Sequence, residues 1–530
     1  MTQQIQTYSI AAPGFYGLNT QDSSLDLAQG FALVANNCVI DKFGRIGARK
    51  GWVAQHAYNT VLDGAEIKMI SEHITDDGTS YIICSGNNKL FKLVSGVLTE
   101  LTYGGGGTAP TITNSNWQTA SLGGDLYLFQ RGHEPLEFSA PWTEPGFPTW
   151  GQTHYRRISE QPGTNGTIQQ ANCVLSSFGR IWNADTTTDK SIIQWSDINA
   201  PQKYATGSAG TLDVTKVWPN GNDTIVALAA HNNYLYIFGK NNILVYNNAN
   251  ILITDVASGV TGMSLVDTIT GIGCIARDSV QNTGSDILFL SATGVRSIMR
   301  TIQEKSAPLR DLSKNVRTDL MSAVAGEDLE TIKSVYNPFE SFYLLSLPIL
   351  KSTYCFDMKQ SLQDGSSRVT TWDNITPTSF CFLRNNTMLI GKNSYVGLYT
   401  GYLDNAASYR LQYFTNHTDF GAPSVASILK KLSVVVIGGT NQYVTIKWGY
   451  DFTGNYFAQN VLIPSQGVAY YGVAEYGGTA EYTDGTALLT LVAYPTGSGK
   501  VVQTGYESDI AGSALSIQKI EIQAKNGKIV

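Results

Sequence analysis

The sequence has few charged side chains, few histidines and few cysteines, and each shortage argues against a class of protein. Only 15% of the 530 residues are charged, and the formal net charge is −6. A surface that clamps nucleic acid through clustered Lys and Arg is therefore not expected. The histidines show no pair at metal-ligand spacing; they are His56, His73, His133, His154, His231 and His417.

The cysteines are too sparse for the disulfide framework of a small secreted domain and too widely separated for a zinc site. They lie mostly within apolar segments, at Cys38, Cys84, Cys173, Cys274, Cys355 and Cys381. We expect them to be small buried hydrophobic residues of a protein made in a reducing cytosol.

Long hydrophobic runs are also missing. The N-terminal segment MTQQIQTYSI has neither a charged nor an apolar region of the kind found in signal peptides. The longest apolar stretches, such as Leu432–Ile437, have the length of a strand rather than of a membrane span. The sequence thus predicts a soluble protein with no membrane span that does not use the secretion pathway.

Glycine, tyrosine and alternating apolar segments are abundant instead. Pairs of alternating segments joined by Gly, Asn or Asp recur roughly 50 residues apart, the spacing of one four-stranded propeller blade. They cover Tyr81–Val94, Asp125–Phe138, Gly179–Trp195, Asn233–Tyr246, Asp286–Ile298, Ser341–Asp357 and Thr387–Thr400. The pattern predicts an all-β protein containing a β-propeller of about seven blades, with six possible.

Two flanks of different character surround these repeats. Both have strand-like segments that a propeller does not need, so we predict a β-rich platform domain built from both chain ends. The boundaries are residues 1–55 and 404–530 for the platform and 56–403 for the inserted propeller. A short helix or turn is expected at Ser24–Ala35, and a helical turn at Ser424–Leu432.

Three segments carry a resemblance to a known family. Read together, Gly14–Trp52, Val444–Phe452 and Gly505–Ile529 resemble the tail nozzle proteins of short-tailed bacteriophages, the podoviruses, also called tail tubular protein B. The resemblance implies a homohexameric ring below the head-to-tail adaptor protein, a virion structural protein through which the genome is ejected. It also implies docking of tail fibre or spike proteins, assembly in the host bacterial cytoplasm and a final location in the virion tail.

Under this hypothesis genomic double-stranded DNA passes transiently and without sequence-specific binding. Six copies of a chain with a net charge of −6 repel DNA as a whole. A wall rich in Lys and Arg would grip phosphates, whereas an acidic or amide-rich wall lets the duplex slide. We therefore expect loops rich in Asp, Glu, Asn, Ser and Thr to face the axis of the ring.

The alternative is a carbohydrate-binding or host-recognition β-propeller, possibly glycosidase-like. Glycosidases need a pair of facing carboxylates. The segment Ser361–Trp372 has only a faint likeness to the Asp-box of propeller sialidases, and its spacing is wrong. Asp364–Gly365 is more simply a hairpin turn. We expect no catalytic residues and no enzyme activity.

Two glycine-rich elements could suggest nucleotide binding. Gly104–Gly107 and Gly497–Lys500 both lack the GxxxxGK[ST] spacing of a phosphate loop, and the second leads into a strand rather than a helix. Both are more typical of connecting loops. The sequence therefore predicts no cofactor and no bound metal.

Candidate interface residues come from two places. Arg45, Arg49 and Lys50 are expected to pair with Asp22 and Asp26 of the same or a neighbouring subunit. Core packing accounts for most aromatic residues of a propeller. A Pro-rich connection bracketed by two tryptophans could instead form a rigid exposed contact with a neighbour or a fibre; these are Trp142 and Trp150.

Overall fold

The computed structural model is almost entirely β-structure. It describes residues 5–75, 78–138, 154–247, 262–298, 311–421, 424–464 and 488–529. Within these ranges one α-helix is present, α1 (Arg317–Ala325), besides short 3₁₀ turns such as Arg277–Ser279. No described helix has the length and apolar character needed to cross a membrane.

The chain starts with short strands that later contribute to two different parts of the fold. In order they are β1 (Ile5–Ala11), β2 (Gly17–Leu18), β3 (Phe31–Asn36), β4 (Cys38–Ile40), β5 (Ile46–Ala48) and β6 (Trp52–Ala54). The sequence interpretation expected a short helix or turn over Ser24–Ala35. Turns do occupy its first half, but Phe31 already begins a strand.

Antiparallel meanders follow, each built around one of the hairpins seen in the sequence. Blade 1 is β7 (Met69–Ile74), β8 (Ser80–Gly86), β9 (Lys89–Val94) and β10 (Val97–Glu100). After β11 (Thr102–Tyr103), blade 2 is β12 (Gln118–Leu122), β13 (Asp125–Phe129), β14 (Leu136–Phe138) and β15 (His154–Arg157). Blade 3 is β16 (Cys173–Ser177), β17 (Arg180–Ala184), β18 (Ile192–Trp195) and β19 (Gly210–Asp213).

The remaining blades continue the pattern. Blade 4 is β20 (Ile225–His231), β21 (Tyr234–Gly239), β22 (Asn242–Asn247) and β23 (Ser264–Thr270). The described strands of blade 5 are β24 (Gln281–Asn282), β25 (Ile287–Ser291) and β26 (Gly294–Ser297). Blade 6 is β27 (Lys333–Asn337), β28 (Phe342–Leu347), β29 (Ser352–Ser361) and β30 (Ser367–Trp372). Blade 7 has β31 (Ser379–Phe382), β32 (Met388–Lys392) and β33 (Tyr395–Tyr399).

The first strands of the blades form a ring. Neighbouring first strands lie side by side, the turn at Arg277–Ser279 packs against β20, and β31 lies next to β7. The described residues therefore form a closed propeller of seven blades, and the prediction of an all-β propeller fold is confirmed. Apolar side chains fill the spaces between blades; Trp182 and Trp195 of blade 3, for example, share a cluster with Leu235 and Ile237 of blade 4.

The N-terminal segment closes the ring. Strand β6 pairs with β33, with Trp52 opposite Tyr399, and so supplies the outer strand of blade 7. The chain approaches closely here, since a Cβ at Gly51 would lie only 1.9 Å from the carbonyl oxygen of Leu403. Placing the platform boundary after residue 55 was thus wrong for residues 52–54. Their pairing partner is the propeller.

The last part of the chain is a set of longer strands: β34 (Tyr409–Thr415), β35 (Val425–Gly438), β36 (Tyr443–Tyr450), β37 (Tyr456–Leu462), β38 (Leu488–Ala493), β39 (Val502–Ile510) and β40 (Leu515–Ile529). The helical turn expected at Ser424–Leu432 was wrong, because this segment is the first half of β35 and pairs with β40. Burial alternates along β35 on each side of a register shift, with Ser427 and Leu429 buried before it and Leu432, Val434 and Val436 buried after it, and this pattern favours the strand.

Strands from the two chain ends pair with each other. One sheet has the order β38-β35-β40-β5-β4, and β1 also pairs with β40. A ten-stranded sheet runs from blade 6 outwards, in the order β27-β28-β29-β30-β2-β3-β34-β39-β36-β37. We refer to β1–β5 and β34–β40 as the platform. Because β30 of blade 6 continues directly into the platform sheet, the backbone ladder couples the two regions.

Five of the six cysteines are buried, Cys381 is half-buried, and all six are free thiols. Burial raises the pKa of Cys84 to about 12. These thiols are packing residues, as the sequence interpretation expected.

Candidate functional site

A group of charged and amide side chains crosses the axis of the propeller. Arg277, in the connection before blade 5, is buried and donates to the backbone carbonyl and side-chain oxygen of Asn172, at 3.0 and 2.8 Å. The same guanidinium donates to the side-chain oxygen of Asn116 at 3.2 Å. Asn172 precedes blade 3 and Asn116 precedes blade 2, so one side chain ties three blades together across the axis.

Blade 6 joins the same network. Lys333, at the start of its first strand, is buried and donates to Asn116 and to Asp278. Asp278 also accepts from the Arg277 Nε and Nη2 atoms, each at 2.8 Å. We call these five residues, Arg277, Asp278, Lys333, Asn116 and Asn172, the axial brace.

The charges of the brace depend on one another. Burial opposes ionisation of Asp278, but the adjacent Arg277 and Lys333 outweigh it and hold the pKa of its carboxyl well below the usual range. Burial lowers the pKa of Lys333, and Asp278 partly offsets this effect. A buried ion pair is costly to form and more costly to break, so the brace fixes the relative positions of four blades.

A cavity of about 390 Å³ opens against the brace on the same end of the propeller. Its lining comes from the connections that precede blades 1, 2, 6 and 7 and from the central hairpin turns of blades 1 and 6. Asn116 and Lys333 of the brace belong to the lining. Its other polar members include Glu66, Lys68, Asn88, Asn114, Asp328 and Glu330. We call this cavity the axial pocket.

The second notable surface is the outer part of the platform. Strand β37 is the last strand of the ten-stranded sheet in the described residues. Large apolar side chains are exposed on β37 and next to it, and Gln459 of β37 accepts from the amide of Tyr494 at 3.2 Å, so the residues after β38 adjoin β37. We call this surface the platform edge; it comprises Tyr443, Tyr456, Phe457, Leu462, Leu488 and Tyr494.

The cations predicted as interface residues have partners within the chain. Arg49 is fully buried and donates to both carboxylate oxygens of Asp404, at 2.8 and 2.7 Å. Lys50 pairs with Glu340 of the β27–β28 turn. The Arg45 guanidinium stacks 4.3 Å from the centre of the Phe43 ring. The expected pairing of Arg49 and Lys50 with the N-terminal aspartates within one chain was wrong, because closer carboxylates neutralise both.

The predicted acidic partners lie elsewhere. Asp22 accepts from Asn19 at 2.8 Å in a local turn, and Asp26 is exposed. Since Arg49 is fully buried, it stabilises the junction of propeller and platform and is not a surface contact. Trp142 and Trp150 lie outside the described residues.

Residues considered for catalysis occupy structural positions. Gly365 has a positive φ of 85°, as a hairpin turn requires, and Asp364 accepts from Lys314 at 2.7 Å and from the backbone of Ser366 at 3.0 Å. Beside the His133 ring, the Thr113 amide donates to Nε2 at 3.0 Å, while Glu134 pairs with Arg157. Within the described ranges no group of three His, Cys, Asp or Glu side chains could hold a metal.

The axial brace was missed in the sequence. Arg277 and Asp278 are adjacent, but their partners are 55 to 161 residues away in the chain. The only available signal was an ion pair placed directly after an apolar segment, Gly273–Ala276, in a chain with few charges.

No family model and no curated protein sequence matches this chain. Among solved structures, it is similar to the extracellular domain of a hybrid two component system of B. thetaiotaomicron, with 10% identity and a TM-score of 0.39 over 77% of this chain and 44% of that one. The extracellular domain of a one component system of the same organism gives 9% identity and a TM-score of 0.39, over 88% and 63%. The Pan2 WD40 domain of Neurospora crassa gives 10% and 0.37, over 68% and 97%.

The chain thus spans less than half the length of the first of these structures. At such low identities and TM-scores, the likenesses say nothing about what this chain binds or does. Its assignment as a propeller rests on the strand pairing described above.

Proposed function

We propose that this protein is a structural component of the tail of a short-tailed bacteriophage. It forms a ring-shaped nozzle, a homohexamer below the head-to-tail adaptor, through which the genome leaves the particle and to which fibres or spikes dock. The platform edge carries the proposal. The sequence resemblance in both chain ends supports it, since those ends supply the platform strands.

The platform edge has the character of an interface with a second copy of the chain. Tyr494 is 70% exposed, Leu488 60% and Phe457 50%. Monomeric soluble proteins rarely expose large contiguous apolar surfaces, and aromatic side chains are enriched where proteins associate. Such an edge can bind a different surface on the next copy. Repeating that contact builds a closed ring when the rotations between neighbouring copies add up to one full turn.

The axial brace bears on the route of the genome under this proposal. Since Arg277 and Lys333 connect opposite blades, the axis of each propeller is occupied by side chains. The DNA therefore passes through the central hole of the ring, between subunits, and not through a propeller. A net charge of −6 per chain keeps that passage from binding the phosphates strongly.

The test is the mass of the purified protein, alone and with its adaptor partner. We expect a species of six times 57.5 kDa, visible as a ring in negative-stain images. Tyr443→Ser, which replaces a platform-edge side chain that is 57% exposed, should shift it towards the monomer. Phe339→Ser is the matched control, because Phe339 is 73% exposed on the β27–β28 turn, and these strands lie at the opposite end of the ten-stranded sheet from β37. A monomeric wild-type protein under both conditions would contradict the proposal.

A second measurement concerns the passage of DNA. Linear duplex DNA should bind the isolated ring weakly or not at all at low and at moderate salt. Tight binding that weakens steeply with salt would show a basic lumen. That result would exclude a conduit that lets DNA slide freely.

A further inference from the structure

We infer that the axial pocket is a binding site for a neutral saccharide unit. The inference does not depend on the proposed ring, because every residue that it uses belongs to one propeller. It combines three observations: the recess itself, the mixture of hydrogen-bonding groups that line it, and the balance of their charges.

The recess has the size and the rigid floor of a small-molecule site. Its volume of about 390 Å³ falls within the range of roughly 300–1,000 Å³ found for ligand pockets. The floor residues Asn116 and Lys333 are already fixed by hydrogen bonds within the axial brace. A ligand therefore binds without first having to order these side chains, which lowers the entropic cost of association.

The lining offers both donors and acceptors. Lys68 supplies donors, Glu66 and Glu330 supply acceptors, and the amides of Asn88 and Asn114 supply both. Each hydroxyl of a sugar can donate one hydrogen bond and accept others, so a ring of hydroxyls uses such a mixture fully. Hydrogen bonds from hydroxyls to charged groups are also stronger than those between neutral groups.

The charges in and behind the pocket balance. Three carboxylates line the pocket, at Glu66, Asp328 and Glu330, against the two ammonium groups of Lys68 and Lys333. Glu330 also pairs with Arg131 at 3.7 Å, and Lys333 and Arg277 pair with Asp278. Four carboxylates thus face four cations, so the pocket has no surplus cation to pair with a phosphate or an acidic sugar. Pro348 and Ile349 provide apolar contact for the C–H face of a sugar ring.

The experiment uses the full chain and saturation-transfer NMR with methyl glycosides of glucose, galactose and N-acetylglucosamine. We expect saturation transfer to at least one glycoside, and at least fivefold weaker binding of methyl glucuronide than of methyl glucoside. The double variant Glu66→Ala/Lys68→Ala should weaken binding at least fivefold. Both side chains are exposed, so the variant should melt at the wild-type temperature.

The matched control is Asp509→Ala/Lys430→Ala, which also removes one exposed acid and one exposed lysine, here from the platform. It should bind the glycosides as the wild type does. Saturation transfer to none of the neutral glycosides would overturn the inference. So would equal binding by the pocket variant, or tighter binding of the glucuronide or of an Asp-Lys dipeptide than of the neutral sugars.

Discussion

The axis of the propeller buries charged side chains, whereas the platform edge exposes apolar ones. At the axis, charges that are expensive to bury are paired within hydrogen-bonding distance by residues of the same chain. At the platform edge, large apolar side chains stay 41–70% exposed within the described residues. The axial charges are paired within one copy of the chain, whereas the apolar side chains of the platform edge gain stability only when a second surface buries them.

The largest effect is expected at the axis. Arg277→Ala removes two donors from the partly buried carboxylate of Asp278 and takes away the Arg277 hydrogen bonds to Asn172. Lys333 still donates to Asp278 and to Asn116. Breaking a buried ion pair typically costs about 3–5 kcal/mol, and we expect a loss within that range. Urea unfolding of the two proteins at pH 7 measures the difference.

The control for the axial variant is Lys314→Ala, which removes an ion pair with Asp364 whose side chains are 48% and 36% exposed. Exposed pairs contribute about 0–1 kcal/mol. If both variants lost the same stability, the axial charges would be solvated, and the contrast between axis and surface would fail.

A slightly smaller loss of stability is expected at the junction of the propeller and the platform. Arg49→Ala removes both hydrogen bonds to Asp404 and a cation–π contact 3.9 Å from the Tyr409 ring. We expect a loss of about 3 kcal/mol. The neighbouring Lys50→Ala should cost no more than about 1 kcal/mol, because the Lys50 side chain is 37% exposed. A Lys50 variant as unstable as the Arg49 variant would show that exposure does not decide the outcome.

This adjacent pair shows what the sequence could and could not predict. The repeat of alternating segments was sufficient to predict the propeller, because each central hairpin is local in the chain and its burial pattern repeats every two residues. The sequence also marked Arg49 and Lys50 as special cations. It could not assign their partners, since Asp404 and Glu340 lie about 355 and 290 residues away and become neighbours only when β6 closes the ring.

The strand at Val425–Gly438 illustrates the other limit. Its first half contains residues such as Ala426, Leu429 and Lys430, which suit a helix as well as a strand. Pairing with β40 over the whole segment decides in favour of the strand. Tertiary contacts of this kind are absent from a local pattern, so the helical interpretation was wrong although the local propensities allowed it.

The platform has its own paired charge, which allows a pH test. Glu507 accepts from Lys447 at 2.8 Å and from Gln412 at 3.1 Å, and it also pairs with Arg410. Burial opposes its ionisation, but these partners outweigh it and lower the pKa of Glu507. The stabilisation is therefore present at neutral pH and is lost as the pH falls below about 4.3, the usual value for an unfolded Glu.

Urea midpoints at pH 6 and pH 3.5 test this expectation. The wild type should lose more stability between the two than Glu507→Gln, which has no carboxyl to protonate. Asp509→Asn is the control, since Asp509 is 69% exposed on the same strand. It should show the same pH dependence as the wild type. A Glu507→Gln variant that lost as much stability as the wild type between pH 6 and pH 3.5 would contradict the role of this carboxyl.

The smallest effect on the stability of one copy is expected at the platform edge. Leu488→Ser replaces a side chain that is 60% exposed, and exposed substitutions usually change the free energy of unfolding by no more than about 0.5 kcal/mol. Leu491→Ser, three residues along the same strand, is the matched comparison, because Leu491 is 5% exposed and packs in the core. Truncating a buried Leu costs about 2–5 kcal/mol.

The measurement is urea unfolding at a concentration low enough to keep the protein monomeric, followed by its mass at high concentration. Leu488→Ser should leave unfolding unchanged and weaken self-association. Equal destabilisation by the two variants would mean that Leu488 already packs in the core of its own chain. Contact with a second copy would then bury no further apolar surface at this residue, and the platform edge would lose its role in self-association.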